Sequence, residues 1–329
     1  MPDPILIASL FGGLILLALG GDLLVRGAVR VGDAMGASPL IAGMFIVGLG
    51  TSLPEILVST NAAFSGSPGL GIGNIVGSSI ANVFLVLAIP ALILPMTAGG
   101  PGQGRNLFAM LLATALWIGM TAILPLSPLM GFFFLCILVG YAGLSLFAAS
   151  RDHAEGKPTG LRAHEAEGPP MWRALIYVPV GVFALVYASG LIVSGAEGLA
   201  RSANVPEEYI GLTLLAVGTS LPEIGASLAA AFRKQGDVLV GNILGANIIN
   251  ILGAGGIIAL SGTITVAPLF KTYDHWVMGL SAAVLAILIV TRARIGRLLA
   301  LLLLLLYAVY IYGLVNGVNL LALYEAIRG

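Results

Sequence analysis

Apolar stretches long enough to cross a lipid bilayer fill most of this 329-residue chain. A helix needs about 20 predominantly apolar residues to span ~30 Å of hydrocarbon. Charged residues make up 9% of the chain, against about 25% in soluble domains, so a water-soluble fold is excluded. The sequence therefore predicts an all-α integral membrane protein. We predict ten transmembrane helices, at about 5–25, 39–64, 70–95, 106–124, 128–149, 174–199, 208–231, 238–261, 274–291 and 298–315.

The charge balance narrows the possible partners. The chain carries 15 basic and 15 acidic residues, so its formal net charge is zero, which argues against binding to nucleic acid. Its single cysteine, Cys136, excludes an intrachain disulfide and a thiolate metal cluster. We expect the lipid bilayer to be the main surroundings of the protein, and nothing in the sequence indicates a required protein partner.

One hydrophilic interval divides the chain. Residues 151–170 form a short linker between a first half (1–150) and a second half (171–329), each with five predicted helices. With the N-terminus outside, the inner loops hold twelve Lys and Arg residues and the outer loops hold three. Cytoplasmic loops of membrane proteins are enriched in these residues. The sequence thus predicts a multi-pass protein of the cell (inner) membrane, with its N-terminus outside and the 151–170 loop in the cytoplasm.

The two halves share an internal repeat. The heptapeptide GTSLPEI at residues 50–56 recurs at residues 218–224, which is 168 positions later. At this offset, residues 43–82 match residues 211–250 at 18 of 40 positions without a gap. Five helices per half is an odd number, so the second copy enters the membrane in the opposite orientation. Inverted repeats with discontinuous helices and a midplane site are typical of secondary transporters. The α-repeats extend over about 38–96 and 206–262.

Each copy of the motif carries one acidic residue in an otherwise uncharged stretch. Glu55 is the only charged residue between positions 34 and 104, and Glu223 is the only one between 209 and 232. An ionised side chain at the centre of a membrane helix costs at least ~2.5 kcal/mol. A structural hydrogen bond from a protonated glutamate would explain one such residue better than a pair at equivalent positions. We therefore interpret the pair as binding a cation or protons.

The residues beside these glutamates offer oxygen ligands. A proline lacks the N–H and clashes with the carbonyl four residues back, so we expect Pro54 to free the carbonyl of Gly50 and Pro222 to free that of Gly218. Hard cations such as Ca2+ and Na+ prefer oxygen ligands. The hydroxyls available next to the glutamates are those of Thr51, Ser52, Thr219 and Ser220.

A second repeated segment supplies amides. Asn82 and Asn250 are equivalent in the repeat, and Ser78 shares a helical face with Asn82 because it lies four residues earlier. We predict that these side chains bind the ion or support its ligands. Gly73 and Gly77 are small, so we expect this helix to approach the glutamate-bearing helix closely at those positions.

Motifs of enzymes are missing from the sequence. It contains no HExxH, no CxxC and no phosphate-binding loop, so we expect neither an enzyme nor a resident cofactor. Four further acidic residues lie near the ends of predicted helices, where we expect them to face water: Asp22, Glu197, Glu207 and Glu208. Lining an access path is the alternative for Asp22.

The two GTSLPE copies and the two GNxxGxxxxN segments resemble the α-repeats of the Ca2+/cation antiporter superfamily, in particular the prokaryotic Na+/Ca2+ exchangers. The resemblance covers all ten predicted helices. It implies that the first and sixth helices slide across the other eight to alternate access. The smooth face for this sliding would come from Gly12, Gly13, Gly20, Gly21 and Gly27. The resemblance also implies ion ligands at Glu55, Glu223, Thr51, Ser52, Thr219, Ser220 and Ser78, carbonyl ligands near Gly48 and Ala216, and amide support from Asn82 and Asn250.

Two positions depart from the pattern of this family. Ala246 stands where members often have serine, so the Na+ subsite that the resemblance implies there would lack a hydroxyl. Asn250 stands where members often have aspartate, so the two glutamates alone set the central charge at minus two.

The resulting hypothesis is antiport of Na+ and Ca2+ at a two-glutamate site. Exchange of H+ for Ca2+ needs only that the glutamates protonate, and exchange of another divalent ion such as Mg2+ or Mn2+ would use the same ligands, so both alternatives stay open. The doubled Thr–Ser hydroxyls favour a metal ion as the coupling ion. A passive channel would need a continuous polar pore, which an inverted repeat with one midplane site does not suggest.

Overall fold

The computed structural model describes residues 4–99, 102–154, 169–202, 217–268 and 270–318. Most of these residues are helical. The helices are α1 (Pro4–Ala34), α2 (Pro39–Thr51), α3 (Leu53–Phe64), α4 (Pro68–Ile93), α5 (Gln103–Ile123), α6 (Pro128–Ala154), α7 (Met171–Ser202), α8 (Leu221–Phe232), α9 (Gly236–Leu260), α10 (Phe270–Val290) and α11 (Arg297–Val315). Two short strands, β1 (Met96–Thr97) and β2 (Arg294–Ile295), pair in antiparallel fashion.

Eight helices in the described ranges are long and apolar enough to cross a membrane, and α2 with α3 makes a ninth if this bent pair counts as one span. These elements coincide with nine of the ten predicted helices. The seventh prediction, 208–231, begins outside the described residues, which show its later part as the shorter apolar helix α8. Most of the predicted 151–170 linker also lies outside them, while residues 151–154 belong to the end of α6.

The first helix is longer than predicted. It continues from about residue 25, where its apolar stretch ends, to Ala34. Its charged end is held by ion pairs between neighbouring turns, Arg26 with Asp22 at 3.0 Å and Arg30 with Asp33 at 3.0 Å. Such pairs three or four residues apart stabilise a helix. Hydrophobicity alone therefore located the membrane part of α1 and missed its polar extension.

Among the residues that the structure describes, four helices contain a π-helical turn, in which the backbone hydrogen bond spans five residues. The turns lie at Gly43–Val47 in α2, Asn82–Val86 in α4, Ile249–Ala254 in α9 and Phe270–Asp274 in α10. Such turns are frequent at functional sites. Two of them contain Asn82 and Asn250, the repeat-related amides that the sequence singled out.

The described residues group into two compact units. The first unit comprises those within Met1–Ser52 and Leu144–Gly245, and the second those within Leu53–Gly143 and Ala246–Gly329. Each unit therefore draws on both halves of the sequence.

In the first unit, α1 packs mainly against α7 and also against α8. Gly13, Gly20 and Gly27 of α1 lie so close to α7 that an added Cβ would meet it at 2.7–2.9 Å. Gly21 faces the carbonyl of Gly225 in α8 at a distance that leaves no room for a side chain. Gly12 is the exception among the five glycines expected on the sliding face, because no atom lies within 4 Å of a Cβ added there.

In the second unit, α3 packs against α4. The close approach occurs at Gly71, where an added Cβ would lie 2.7 Å from the carbonyl oxygen of Ser59. The prediction that Gly73 and Gly77 make this approach is wrong. Gly73 faces the ring of Phe270, and nothing lies within 4 Å of a Cβ added to Gly77.

Candidate cation site

The first unit brings a hydroxyl of one motif copy to the carboxylate of the other copy. The Oγ of Ser52 donates a hydrogen bond to Oε1 of Glu223 at 3.4 Å, and both residues are buried, with 0% and 1% of their surface exposed. Glu223 is the third residue of α8, whose start is set by Pro222 in the first turn. The positive end of the helix dipole favours a carboxylate there.

Pro54 and Pro222 begin helices rather than kinking continuous ones. Pro54 is the second residue of α3 and Pro222 the second residue of α8. The carbonyl of Gly218, which we expected to be free for a cation, accepts a hydrogen bond from the Oγ of Ser189 in α7 at 2.5 Å. No pattern in the sequence predicts this partner, because Ser189 lies outside both motif copies.

Thr51 lies at the end of α2, among acceptors. Its Oγ1 is 3.2 Å from Oδ1 of Asn242 in α9 and 3.4 Å from the carbonyl oxygen of Gly48 in its own helix. All three residues are buried in the first unit. Two of the predicted ligands, Thr51 and Gly48, are therefore adjacent, and Asn242 joins them although the sequence did not assign it a role.

Two asparagine–serine hydrogen bonds lie at equivalent positions of the repeat. The Nδ2 of Asn242 donates to the Oγ of Ser227 at 3.1 Å in the first unit, and the Nδ2 of Asn74 donates to the Oγ of Ser59 at 2.9 Å in the second unit. Asn74 also donates to the backbone carbonyl of Glu55 at 3.3 Å. Each serine follows a motif glutamate by four residues, and both pairs match at the 168-residue offset. Four-residue spacing and repeat identity together could have revealed them.

In the second unit, Asn82 is held by a neighbouring amide. Its Nδ2 donates to Oδ1 of Asn247 at 3.0 Å, and the Nδ2 of Asn247 donates to the Sδ of Met110. Because Nδ2 of Asn82 is bound to Asn247, the side-chain oxygen Oδ1 of Asn82 points away from Asn247. Ser78, one turn earlier in α4, is buried as well.

The remaining predicted site residues differ in how deeply they are buried. Glu55 is fully buried in the first turn of α3, and Ser220 is buried at the start of α8. Thr219 is half-buried. Asn250 is fully buried in the π-helical turn of α9. Ala216 lies outside the described residues.

Several buried polar atoms among the described residues lack a hydrogen-bond partner. Four residues that the sequence predicted as ligands or their supports contribute such atoms: Oδ1 of Asn82, Oγ of Ser220, Oε2 of Glu223 and both side-chain amide atoms of Asn250. Leaving a buried polar group without a hydrogen bond costs about 1–3 kcal/mol. Native proteins therefore rarely leave such a group without any partner. Apart from the amide nitrogen of Asn250, these atoms are oxygens, Ser220 and Glu223 lying in the first unit and Asn82 and Asn250 in the second, and oxygens are the atoms through which hard cations bind.

The donor set suits a hard cation. It consists of carboxylate, hydroxyl, amide and backbone oxygens, which are the ligands that Na+ and Ca2+ prefer. Within the described ranges, no three His, Cys, Asp or Glu side chains cluster in a way that could hold a metal ion.

Comparisons of the sequence with known proteins point to the sodium/calcium exchangers. A family model for "Sodium/calcium exchanger protein" matches residues 5–147 and 173–316. The sodium/calcium exchanger MaX1 of Methanosarcina acetivorans is 28% identical over 324 residues, covering 87% of this chain and 91% of that protein. The inner membrane protein YrbG of Escherichia coli is 33% identical, covering 85% and 87% of the two chains.

The structure of this chain is also similar to that of a solved sodium-calcium exchanger. A solved structure of the sodium-calcium exchanger NCX_Mj superposes with a TM-score of 0.80 at 30% sequence identity. The match covers 94% of this chain and 99% of the other.

Proposed function

Because the chain belongs to the sodium/calcium exchanger protein family, we propose that it is a secondary antiporter that exchanges Na+ for Ca2+ across the membrane by alternating access. The family is one of transporters, and the eight apolar spans found in the described part of the chain make it a multi-pass membrane protein. The proposal concerns the ions, the residues that bind them and the way their flows are coupled.

The observation that carries the proposal is the hydrogen bond from Ser52 to Glu223, which links the two motif copies at a buried carboxylate. Glu55 and Glu223 occupy equivalent positions in the repeat and are 0% and 1% exposed. We propose that these two glutamates bind the transported ions. The further ligands or supports would be Thr51, Ser52, Thr219, Ser220, Ser78, Asn82, Asn250 and the carbonyls of Gly48 and Ala216.

The coupling follows from charge. One Ca2+ neutralises two carboxylates, and so do two or more Na+ ions. A site with two uncompensated negative charges is costly to enclose away from water, so only loaded states would change their accessibility. Inward movement of Na+ would then drive Ca2+ out of the cell without a cofactor or a partner protein.

We propose ten transmembrane helices in two inverted five-helix repeats, with the N-terminus outside and residues 151–170 in the cytoplasm. The twelve-to-three distribution of Lys and Arg supports this orientation. The name of the Escherichia coli relative, an inner membrane protein, supports placement in the cell membrane.

The test is uptake of radioactive Ca2+ by proteoliposomes that contain the purified protein. Vesicles loaded with Na+ are diluted into Na+-free medium, and matched vesicles are loaded with choline or with equal Na+ on both sides. We expect uptake only with an outward Na+ gradient. Uptake driven by an acidic interior without Na+ would replace Na+ by H+ as the coupling ion. Uptake that needs neither gradient would contradict antiport and favour a channel.

The same vesicles test the choice of divalent ion. Unlabelled Ca2+, Mg2+ or Mn2+ is added at equal concentration outside. Stronger competition by Mg2+ or Mn2+ than by Ca2+ would show that another divalent ion is the substrate.

A further inference from the structure

Asn242 is a buried amide whose two polar atoms are both engaged. It lies in the first half of α9 and is 1% exposed. Its Nδ2 donates to Ser227 at 3.1 Å, and its Oδ1 accepts from Thr51 at 3.2 Å. Neither the repeat motif nor the set of proposed ligands assigns Asn242 a role in ion binding.

The hydroxyl of Thr51 has one proton and two acceptors within reach. In a helix, a threonine hydroxyl ordinarily donates to a carbonyl three or four residues back, which for Thr51 is that of Gly48 at 3.4 Å. Asn242 Oδ1 is nearer, at 3.2 Å. The carbonyl of Gly48 already accepts the backbone N–H of Ser52 at 3.0 Å, so it has one remaining lone pair.

We infer that Asn242 is a positioning residue that takes the hydroxyl proton of Thr51 and thereby leaves both Thr51 Oγ1 and the Gly48 carbonyl able to bind a cation. A hydroxyl that donates to Asn242 directs its own lone pairs elsewhere. The lone pair of Gly48 that would otherwise accept this proton stays available. One amide therefore supplies two neutral oxygen ligands.

The amide of Asn242 presents its oxygen to Thr51 and its nitrogen to Ser227. The reversed amide would present N–H groups to the hydroxyl, which would then have no acceptor there and would return its proton to Gly48. The repeat retains the bond between amide and serine, since Asn74 donates to Ser59 at 2.9 Å.

The inference rests on the proposed function and concerns the balance between its two ions. Ca2+ binding depends chiefly on carboxylates, whereas a Na+ ion held by hydroxyl and carbonyl oxygens depends on each of these neutral ligands. Loss of the Asn242 acceptor should therefore weaken Na+ more than Ca2+.

The test measures how external Na+ inhibits Ca2+ uptake in proteoliposomes. Asn242→Leu keeps the approximate size of the side chain and removes both polar atoms. We expect it to raise the half-inhibiting Na+ concentration about tenfold, as for the loss of one good ligand, and to change the half-saturating Ca2+ concentration much less. In a Thr51→Val background, Asn242→Leu should add no further shift, because there is no proton left to take.

Asn106→Leu is the matched control. Asn106 is a fully buried amide in α5 that donates to the Gly102 carbonyl at 3.3 Å and accepts from Tyr141 at 2.8 Å, so its loss removes the same kinds of bond outside the site. We expect no change in the ratio of the Na+ and Ca2+ midpoints. If Asn242→Leu does not fold, Ser227→Ala loosens the same amide and should shift the Na+ midpoint in the same direction.

The outcomes separate the two levels of the hypothesis. Wild-type uptake without Na+ dependence would overturn the proposed exchange itself. If the wild type exchanges the ions but folded Asn242→Leu leaves the Na+ midpoint unshifted, the role of Asn242 alone is overturned. Where Asn242→Leu does not fold, an unshifted Na+ midpoint in Ser227→Ala overturns it in the same way. If Asn242→Leu shifts the Na+ midpoint equally in the wild-type and the Thr51→Val backgrounds, the proposed role of Asn242 is also contradicted.

Discussion

The hydroxyl oxygen of Ser52 lies 3.4 Å from Oε1 of Glu223, although 171 residues separate the two positions. Ser52 belongs to the first GTSLPE copy and Glu223 to the second. A hydroxyl from the first copy thus supports the carboxylate of the second, so the second copy does not form the surroundings of Glu223 alone.

The first prediction concerns the glutamates. Changing Glu223 or Glu55 to Gln should abolish Ca2+ uptake, because one remaining carboxylate cannot balance a divalent ion in a buried site. Uptake into Na+-loaded vesicles measures the effect, and size-exclusion chromatography checks the fold. Glu197→Gln is the control, since Glu197 is exposed and pairs with Arg201 in its own helix. Near-normal uptake by either buried-site variant would contradict the two-carboxylate site.

Hydrophobic runs predicted the positions of the helices well, because the requirement for about 20 apolar residues is set by the bilayer. They could not predict where the first helix ends. Asp22 was expected near a helix end facing water, yet it lies within α1 and bonds to Arg233 at 2.6 Å. Such a contact depends on tertiary packing, which a hydropathy pattern does not contain.

The repeat predicted most of the candidate site, because residues held at a fixed offset mark what both copies need. It did not predict partners outside the repeated segments, such as Ser189 at the Gly218 carbonyl. It also misplaced the close contact between α3 and α4, which Gly71 makes although the second copy has Leu239 there. Identity between copies reveals shared chemistry, whereas packing at one copy follows from its own neighbours.

The second prediction concerns the glycines of α1. Gly21→Ala should destabilise the protein by about 1–3 kcal/mol, because the methyl group would overlap the carbonyl of Gly225 in α8. Gly12→Ala should have little effect, because nothing lies within 4 Å of the added atom. Thermal unfolding in detergent compares the two variants of one helix. Similar unfolding temperatures would show that α1 and α8 separate easily at this point.

The third prediction concerns the link between α1 and the residue that follows α8. Asp22 bonds to Arg26 within α1 and to Arg233, and these side chains are about one-third to one-half exposed. Partly exposed ion pairs contribute about 0.2–1 kcal/mol and weaken with salt. A double-mutant cycle of Asp22→Asn and Arg233→Gln should show a coupling of this size at low salt and less at high salt. Additive effects on unfolding at both salt concentrations would show that the pair contributes nothing.

The fourth prediction concerns a buried carboxylate outside the candidate site. The hydroxyl of Tyr310 donates to Oδ1 of Asp274 at 2.9 Å, and Asp274 is 2% exposed. Tyr310→Phe should destabilise the protein by about 1.5–3 kcal/mol, the range for a hydrogen bond to a charged group. Tyr312→Phe, on the exposed side of α11, is the control. Unchanged unfolding of Tyr310→Phe would show that Asp274 does not depend on this donor, and a shifted Na+ midpoint would connect it to transport.

The last prediction concerns the asymmetry between the repeats. Ser78 offers a hydroxyl in the first copy, whereas the equivalent Ala246 offers only a methyl group and is fully buried beside Asn247, the partner of Asn82. Na+ depends on the number of good oxygen ligands, so Ala246→Ser should add one. We expect a lower half-inhibiting Na+ concentration, by about tenfold for a full ligand, and a steeper inhibition curve. Ca2+ affinity should change less, because the glutamates dominate it. Ala259→Ser makes the same change at another fully buried position of α9 and should leave the Na+ response unaltered. If Ala246→Ser changes neither the midpoint nor the slope, another ligand already replaces the missing hydroxyl, and the two repeats bind Na+ alike.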